Sequence, residues 1–179
     1  MRKALFFLGI LNDGDLDWMI AHGNKREVSA GSVLVHEGRP LDSMFIVLEG
    51  QLAVSTSRVA GKDLARLMCG EVVGEMSFLD SRPPSASVRA LGKCSVLSVS
   101  KDRLLEKLGS DTAFAARFYH ALGVFLSDRL RSTVGMLGYS GGDKLDAQEY
   151  ADEIDPVLLD RVDLAAARFD WLQRKLQSV

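Results

Sequence analysis

The stretch Gly70-Glu71-Val72-Val73-Gly74-Glu75-Met76-Ser77-Phe78-Leu79-Asp80-Ser81-Arg82-Pro83-Pro84-Ser85-Ala86-Ser87-Val88 decides how this chain of 179 residues folds. It crosses from one β-rich piece to the next. Gly74 permits close backbone approach, and Glu75–Leu79 is long enough for one short helical turn. Such a turn presents free backbone N–H groups at its start, a seat for an anion. Glu75 stands beside that point as a hydrogen-bond acceptor suited to a sugar hydroxyl, and Ser85 and Ser87 are small donors expected to face the same region. Together these residue types describe a pocket for a phosphorylated sugar. The plain alternative makes Glu75 a structural carboxylate that accepts backbone N–H bonds within the turn.

Working outward, Arg26–Ser100 has a β texture. Ser32–His36, Ser43–Leu48, Gln51–Ser57, Asp63–Met68, Ser87–Ala90 and Cys94–Val99 are short β-rich pieces punctuated by Gly31, Gly38, Gly50, Gly61 and Gly70. That spacing implies an α+β, mainly β chain built on an antiparallel sandwich or jelly-roll-like barrel. Ahead of it, Leu5, Phe6, Leu8 and Leu11 form an apolar stripe. A second helix runs through Leu16, Trp18, Met19 and Ile20, with Asp13 or Asp15 as its cap and Gly23 as its stop. After Ser100 the period is helical again. Arg103–Leu108 is one helix, and Gly109-Ser110-Asp111 supplies a break and an N-cap for a longer one that runs to about Val134. The longer helix carries Phe114, Phe118, Leu122, Leu126 and Leu130 at fourfold spacing, with Ala121 and Phe125 beside them. It is expected to pack both on the barrel and on a second copy of itself.

Residues 1–136 therefore read as one domain and 137–179 as an acidic hinge with a C-terminal amphipathic helix. Ser140-Gly141-Gly142 marks the hinge, and Asp143, Asp146, Glu149, Asp152, Glu153 and Asp155 make the following segment acidic. The helix after Pro156 has Val162, Leu164, Ala165, Phe169, Leu172 and Leu176 as its apolar positions. It either folds onto its own domain or docks on a partner, around Phe169 and Trp171.

Composition narrows the function classes. A formal net charge of −2 with 47% hydrophobic and 26% charged residues describes an ordinary globular protein without a basic footprint for nucleic acid. Acidic residues across Asp143–Asp163 would repel phosphate, and one helix after Pro156 is too few for a helix-turn-helix. Cys69 and Cys94 form no CxxC pair, so neither zinc nor a disulfide framework is expected, and a reducing cytoplasm fits. Met1-Arg2-Lys3 followed by Ala4–Leu11 imitates a signal peptide, yet it lacks a small-residue cleavage site and reads as the first helix. No apolar run approaches the roughly 20 residues that span a bilayer. His22, His36 and His120 are scattered, with no paired metal ligands and no nucleophile elbow. No catalytic or metal-binding residue is nominated, and the chain is not expected to be an enzyme.

Several of these pieces resemble the cyclic-nucleotide-binding domain family, with its cAMP receptor protein-like β-roll. Gly31-Ser32-Val33-Leu34-Val35-His36-Glu37-Gly38 and Asp42-Ser43-Met44-Phe45-Ile46-Val47-Leu48-Glu49-Gly50 look like its glycine-bounded strands. Gly74-Glu75-Met76-Ser77-Phe78-Leu79 looks like the opening of its phosphate-binding cassette. The likeness runs from about Leu5 to Val134. It implies an antiparallel eight-stranded β-roll flanked by N-terminal helices and a long C-terminal helix that caps the ligand base and forms a dimer seam. No DNA-binding domain is recognisable.

The family's cassette typically ends Pro-Arg-Ala-Ala-Thr-Val, with the arginine paired to the cyclic phosphate; here Pro83-Pro84-Ser85-Ala86-Ser87-Val88 places Pro84 at that position. Proline has neither charge nor backbone donor. Losing such a charge-assisted contact costs on the order of 1.5–3 kcal/mol. Arg82 or Arg89 would have to restore the charge. The candidate ligand set is Gly74, Glu75, Met76, Ser77, Arg82, Ser85, Ala86 and Ser87. The resemblance implies a regulatory sensor that binds a cyclic mononucleotide, cAMP or cGMP, with cAMP first. Its partners would be a second copy through the long helix and a separate effector protein, with neither nucleic acid nor membrane involved. The contrasting expectation is a scaffold without ligand control, or a roll that takes another phosphorylated metabolite.

Overall fold

The computed structural model describes residues 6–59, 62–138 and 156–177. Two short helices, α1 (Phe6–Ile10) and α2 (Asp13–His22), precede eight strands: β1 (Gly23–Val28), β2 (Val33–Val35), β3 (Ser43–Glu49), β4 (Leu52–Ser55), β5 (Ala65–Leu67), β6 (Val72–Val73), β7 (Ser87–Ala90) and β8 (Cys94–Ser100). Helix α3 (Glu75–Asp80) interrupts the strands between β6 and β7, and α4 (Lys101–Ser110), α5 (Thr112–Gly138) and α6 (Pro156–Gln177) follow them. One sheet runs β1-β8-β3-β6 and the other β2-β7-β4-β5, every pairing antiparallel. This is the expected β-roll with flanking helices. The hinge at Ser140-Gly141-Gly142 and the acidic run to Asp155 lie outside the described residues.

Two strands are absent from the sequence reading. β6 has only two residues, too few to show a period. β1 is a charged edge strand, exposed along Lys25, Arg26 and Glu27, so it carries no apolar alternation. Gly23 consequently opens β1 in extended backbone at φ −97° rather than ending α2 in a left-handed cap. A Cβ there would lie 2.6 Å from the Met19 carbonyl oxygen, which is why glycine is needed. The cap of α2 is Asn12 rather than Asp13 or Asp15. Its Oδ1 accepts from Asp15 N at 2.8 Å while Asp15 Oδ2 accepts from Asn12 N at 2.9 Å. Arg117 then grips Asp15 with two bonds of 2.7 and 2.8 Å, tying α2 to α5.

The central strands β3 and β8 have buried residues on both faces. Phe45, Val47, Cys94 and Val96 join Val28, Val35, Leu52, Leu67, Val73, Val88 and Ala90 between the sheets. Met44, Ile46, Leu48, Leu97 and Val99 point the other way, into a second cluster with the helices. The period-2 alternation of a strand sorts these residues between the two cores.

On α5, Phe114, Phe118, Leu122 and Phe125 are buried, whereas Leu126 is half-buried and Leu130 is 64% exposed. Strict fourfold spacing drifts about 40° per step on a helix of 3.6 residues per turn, so the expected stripe leaves the core after Leu122. Within the expected break at Gly109-Ser110-Asp111, Asp111 is the residue that caps α5, accepting from Phe114 N at 2.9 Å.

Helix α6 packs on its own domain, against α1 and α2. Ala165, Phe169, Leu172 and Leu176 are buried in the helical core, with Trp171 packed on it. Arg168 donates to Asp13 Oδ1 at 2.8 Å and to the Leu8 and Gly9 carbonyls, and Gln173 Nε2 donates to Leu48 O at 2.6 Å. Phe169 is therefore spoken for within the chain, which overturns the expectation that it presents a surface to an effector. Leu172→Ala is expected to cost about 2–5 kcal/mol by leaving a cavity. Denaturant unfolding checks it, because an undocked helix would lose nothing.

Candidate functional site

Gly74 stands at the head of α3 in the left-handed region, φ 89°, and its carbonyl accepts from Phe78 N at 3.0 Å. A Cβ at this position would fall 2.8 Å from Leu41 Cδ2 and 3.1 Å from Ser43 O. Sterics and backbone thus both require glycine where β6 turns into α3.

Glu75, the next residue, has a side chain only 4% exposed. Its Oε1 accepts from Arg129 Nη1 of α5 at 2.5 Å. Arg129 Nη2 also lies 3.7 Å from Glu71 Oε2, and its guanidinium sits 4.8 Å over the Phe125 ring. Burial pushes the Glu75 carboxyl above the usual glutamate value, and Arg129 pulls it back. Glu71 is also raised by burial, against the opposing Met68 N–H and Arg129. One arginine therefore serves two carboxylates that are costly to bury alone.

The other candidates are dispersed. Ser77 is buried, and its carbonyl accepts from Lys101 Nζ at 3.1 Å. Met76 is 55% exposed, Ser85 is exposed and Ala86 is half-buried. Arg82 is 85% exposed and lies beside its neighbour Asp80, its Nε 3.9 Å from Oδ2 and its N–H bonded to Oδ1. Ser87 Oγ accepts from Glu37 N at 3.0 Å. By strand alternation Ser87 and Arg89 face away from the inter-sheet core that holds Val88. They line an outer groove of about 460 Å³ with Ser55, Thr56, Lys62 and Asp63. Arg89 is bound to Asp63 there at 2.9 Å. Neither arginine considered for the place of Pro84 thus meets Glu75. Pro84 itself contributes a carbonyl, which accepts from Gly38 N at 2.8 Å.

The cation at Glu75 is Arg129, a residue outside the candidate ligand set. A signal existed. Phe118, Leu122, Phe125 and Arg129 follow 4-3-4 spacing, so a charged residue falls where the buried stripe calls for an apolar one. Among the described residues no group of three His, Cys, Asp or Glu side chains is placed to hold a metal, and no described helix is long and apolar enough to cross a membrane.

Two antiparallel four-stranded sheets broken by one short helix and followed by a long helix make the β-roll fold of cyclic nucleotide-binding domains. Residues 25–111, just under half of the chain, match the family model described as cyclic nucleotide-binding domain, the family that the sequence resembles. It is 26% identical over 129 residues to the cAMP-activated global transcriptional regulator Vfr of Pseudomonas aeruginosa, covering 69% of this chain and 58% of that protein. It is 30% identical over 91 residues to the cAMP-activated global transcriptional regulator CRP of Salmonella typhimurium, covering 49% of this chain and 43% of that one. The chain thus spans about half the length of these curated relatives. A solved cyclic nucleotide-binding domain from Methylobacillus flagellatus superposes with a TM-score of 0.70 at 20% identity, covering 80% of this chain and 85% of that one, a likeness of fold.

Proposed function

We propose that this chain is a regulatory sensor that takes a cyclic mononucleotide, cAMP ahead of cGMP, in its β-roll and relays occupancy through α5 to a partner protein. The observation that carries the reading is the Glu75–Arg129 pair, a buried carboxylate at the head of α3 whose cation belongs to α5. A ribose hydroxyl that takes a Glu75 oxygen competes with Arg129. A cyclic phosphate offers that arginine a new partner, and Arg129 would supply the positive charge that Pro84 does not. Ligand binding then changes the link between α3 and α5, and the size of the response is set by the ligand's differential affinity for the two arrangements. Gly74, Glu75, Met76, Ser77, Ser85 and Ala86 remain the cassette contacts proposed for the ligand. Arg82 and Ser87 would have to turn from their present partners to join them.

Tyr119, Leu130 and Val134 leave exposed apolar side chains along α5, which supports pairing with a second copy of the chain. The free thiols of Cys69 and Cys94 fit a reducing cytoplasm. No catalytic role is proposed for any residue.

Thermal unfolding with and without cAMP or cGMP tests the reading. A ligand at a hundred times its dissociation constant adds about 2.7 kcal/mol of stability, and Glu75→Ala is expected to abolish that gain. Absence of a shift with either nucleotide at millimolar concentration favours the second reading, a β-roll serving as a dimerisation scaffold. Pro84 at the phosphate-arginine position is the observation on that side.

A further inference from the structure

Helix α3 is held at both ends by cations from the helical part of the chain. Arg129 takes the carboxylate of its first residue, Glu75. At the other end Lys101 Nζ donates to Ser77 O at 3.1 Å and to Ser81 Oγ at 3.3 Å. The last four carbonyls of a helix lack intrahelical partners, and the negative end of the helix dipole favours a cation there. In a helix of six residues such a cap serves a large share of the backbone. Ser81 is the one non-glycine described residue with positive φ, 59°, at the C-cap of α3. Glycine would adopt that backbone without cost, but it would bring no hydroxyl to the ammonium group.

Lys101 is itself fixed in place. It is the first residue of α4, and its backbone N–H donates to Asp42 O at 2.8 Å, just before β3. A single residue, Asp111, separates α4 from α5. Leu104 of α4 shares the helical core with Phe114 and Phe118 of α5. Between the two polar ties, Phe78 of α3 meets Phe118 edge-on, with ring centroids 5.6 Å apart. The short helix therefore cannot shift its C-terminal end without drawing on the start of α4 or breaking its bonds to Lys101.

We propose that Lys101 is a positioning residue that couples the C-terminal end of α3 to α4, a second line from the cassette to the helices beside the Glu75–Arg129 line. As regulation of the same site, the inference rests on the sensor reading for its ligand arm, while its structural arm stands without any ligand. Amide hydrogen exchange on the full chain tests both. In Lys101→Met without nucleotide, the amides of residues 75–82 are expected to exchange about tenfold faster, while those of β3 and β8 keep their rates. Lys101→Arg is expected to restore most of the protection. Ser81→Ala removes one of the two acceptors and is expected to give a smaller change of the same sign. With cAMP, the wild-type chain is expected to change exchange in α4. In Lys101→Met that α4 response is lost while cAMP still shifts the melting temperature. A merely structural cap would leave the ligand response in α4 intact.

Unchanged exchange over residues 75–82 in Lys101→Met overturns the tether, whatever any nucleotide does. A preserved α4 response in that variant overturns the coupling. If the wild-type chain responds to neither cAMP nor cGMP, the sensor reading fails and the coupling fails with it, while the unliganded exchange still decides the tether.

Discussion

Phe118→Ala is expected to be among the most destabilising single changes in the chain, at about 3–5 kcal/mol. The ring is fully buried at the junction of three helices. Its centroid lies 5.7 Å from Phe7 of α1, 5.6 Å from Phe78 of α3 and 5.5 Å from Phe114 of α5 itself. Truncation removes the transfer energy of the ring, opens a cavity and cancels several aromatic contacts, each worth about 0.5–1.5 kcal/mol. At roughly 2–4 °C per kcal/mol for a chain of this size, the melting temperature should fall by on the order of 10 °C. Because Phe78 loses its partner, the same variant is expected to loosen α3 against α5. A fall of only a degree or two in calorimetry would show that neighbouring rings collapse into the space.

The second large effect is electrostatic. Arg129→Met keeps most of the stem that lies against Phe125 and removes the charge shared by Glu75 and Glu71. The pair is intermediate in exposure, with Arg129 at 32% and Glu75 at 4%. The expected loss near neutral pH is therefore about 2–3 kcal/mol, between an exposed pair and a fully buried one. Its pH dependence has a definite sign. Burial already holds both carboxyls above the ordinary glutamate value, and Arg129 opposes that shift. Removing the arginine raises them further. A carboxyl raised in the folded state favours folding below its unfolded value, and that contribution is lost as pH rises through its folded value. The deficit of Arg129→Met should accordingly open upward from the ordinary glutamate range and close on acidification. Denaturant unfolding at a series of pH values measures it. A deficit constant across that series would assign the loss to packing rather than charge.

The outline of the fold was legible because its signals are local. Short apolar runs separated by glycines announce strands, and the glycines at 31, 38, 50, 70 and 74 all take positive φ. Such a backbone requirement acts on single residues and shows in any linear reading. The break and cap at Gly109-Ser110-Asp111 were visible for the same reason, since the Asp111 acceptor serves an amide three residues on. The edge strand β1 and the two-residue β6 escaped, because pairing with β8 and β3 makes them strands rather than any pattern of their own.

The site divides along the same line. Gly74 and Glu75 could be nominated from the sequence, since a tight turn into a short helix needs the first and a polar ligand suits the second. Whether Arg82 or Arg89 would replace the charge missing at Pro84 was undecidable, because reach depends on which face each occupies. Tertiary structure sets Arg82 at the surface beside Asp80, binds Arg89 to Asp63 on the outer sheet, and brings Arg129 from 54 residues away onto Glu75. It also lays α6 on α1 and α2, where its apolar face alone favoured self-docking over partner docking only slightly. By itself the sequence determined most segments, β1 and β6 excepted, because backbone preference and hydrophobic period act within a few residues. Only the tertiary structure decided which charges meet, because burial makes an unpaired carboxylate costly and the cation that answers it can come from any part of the chain.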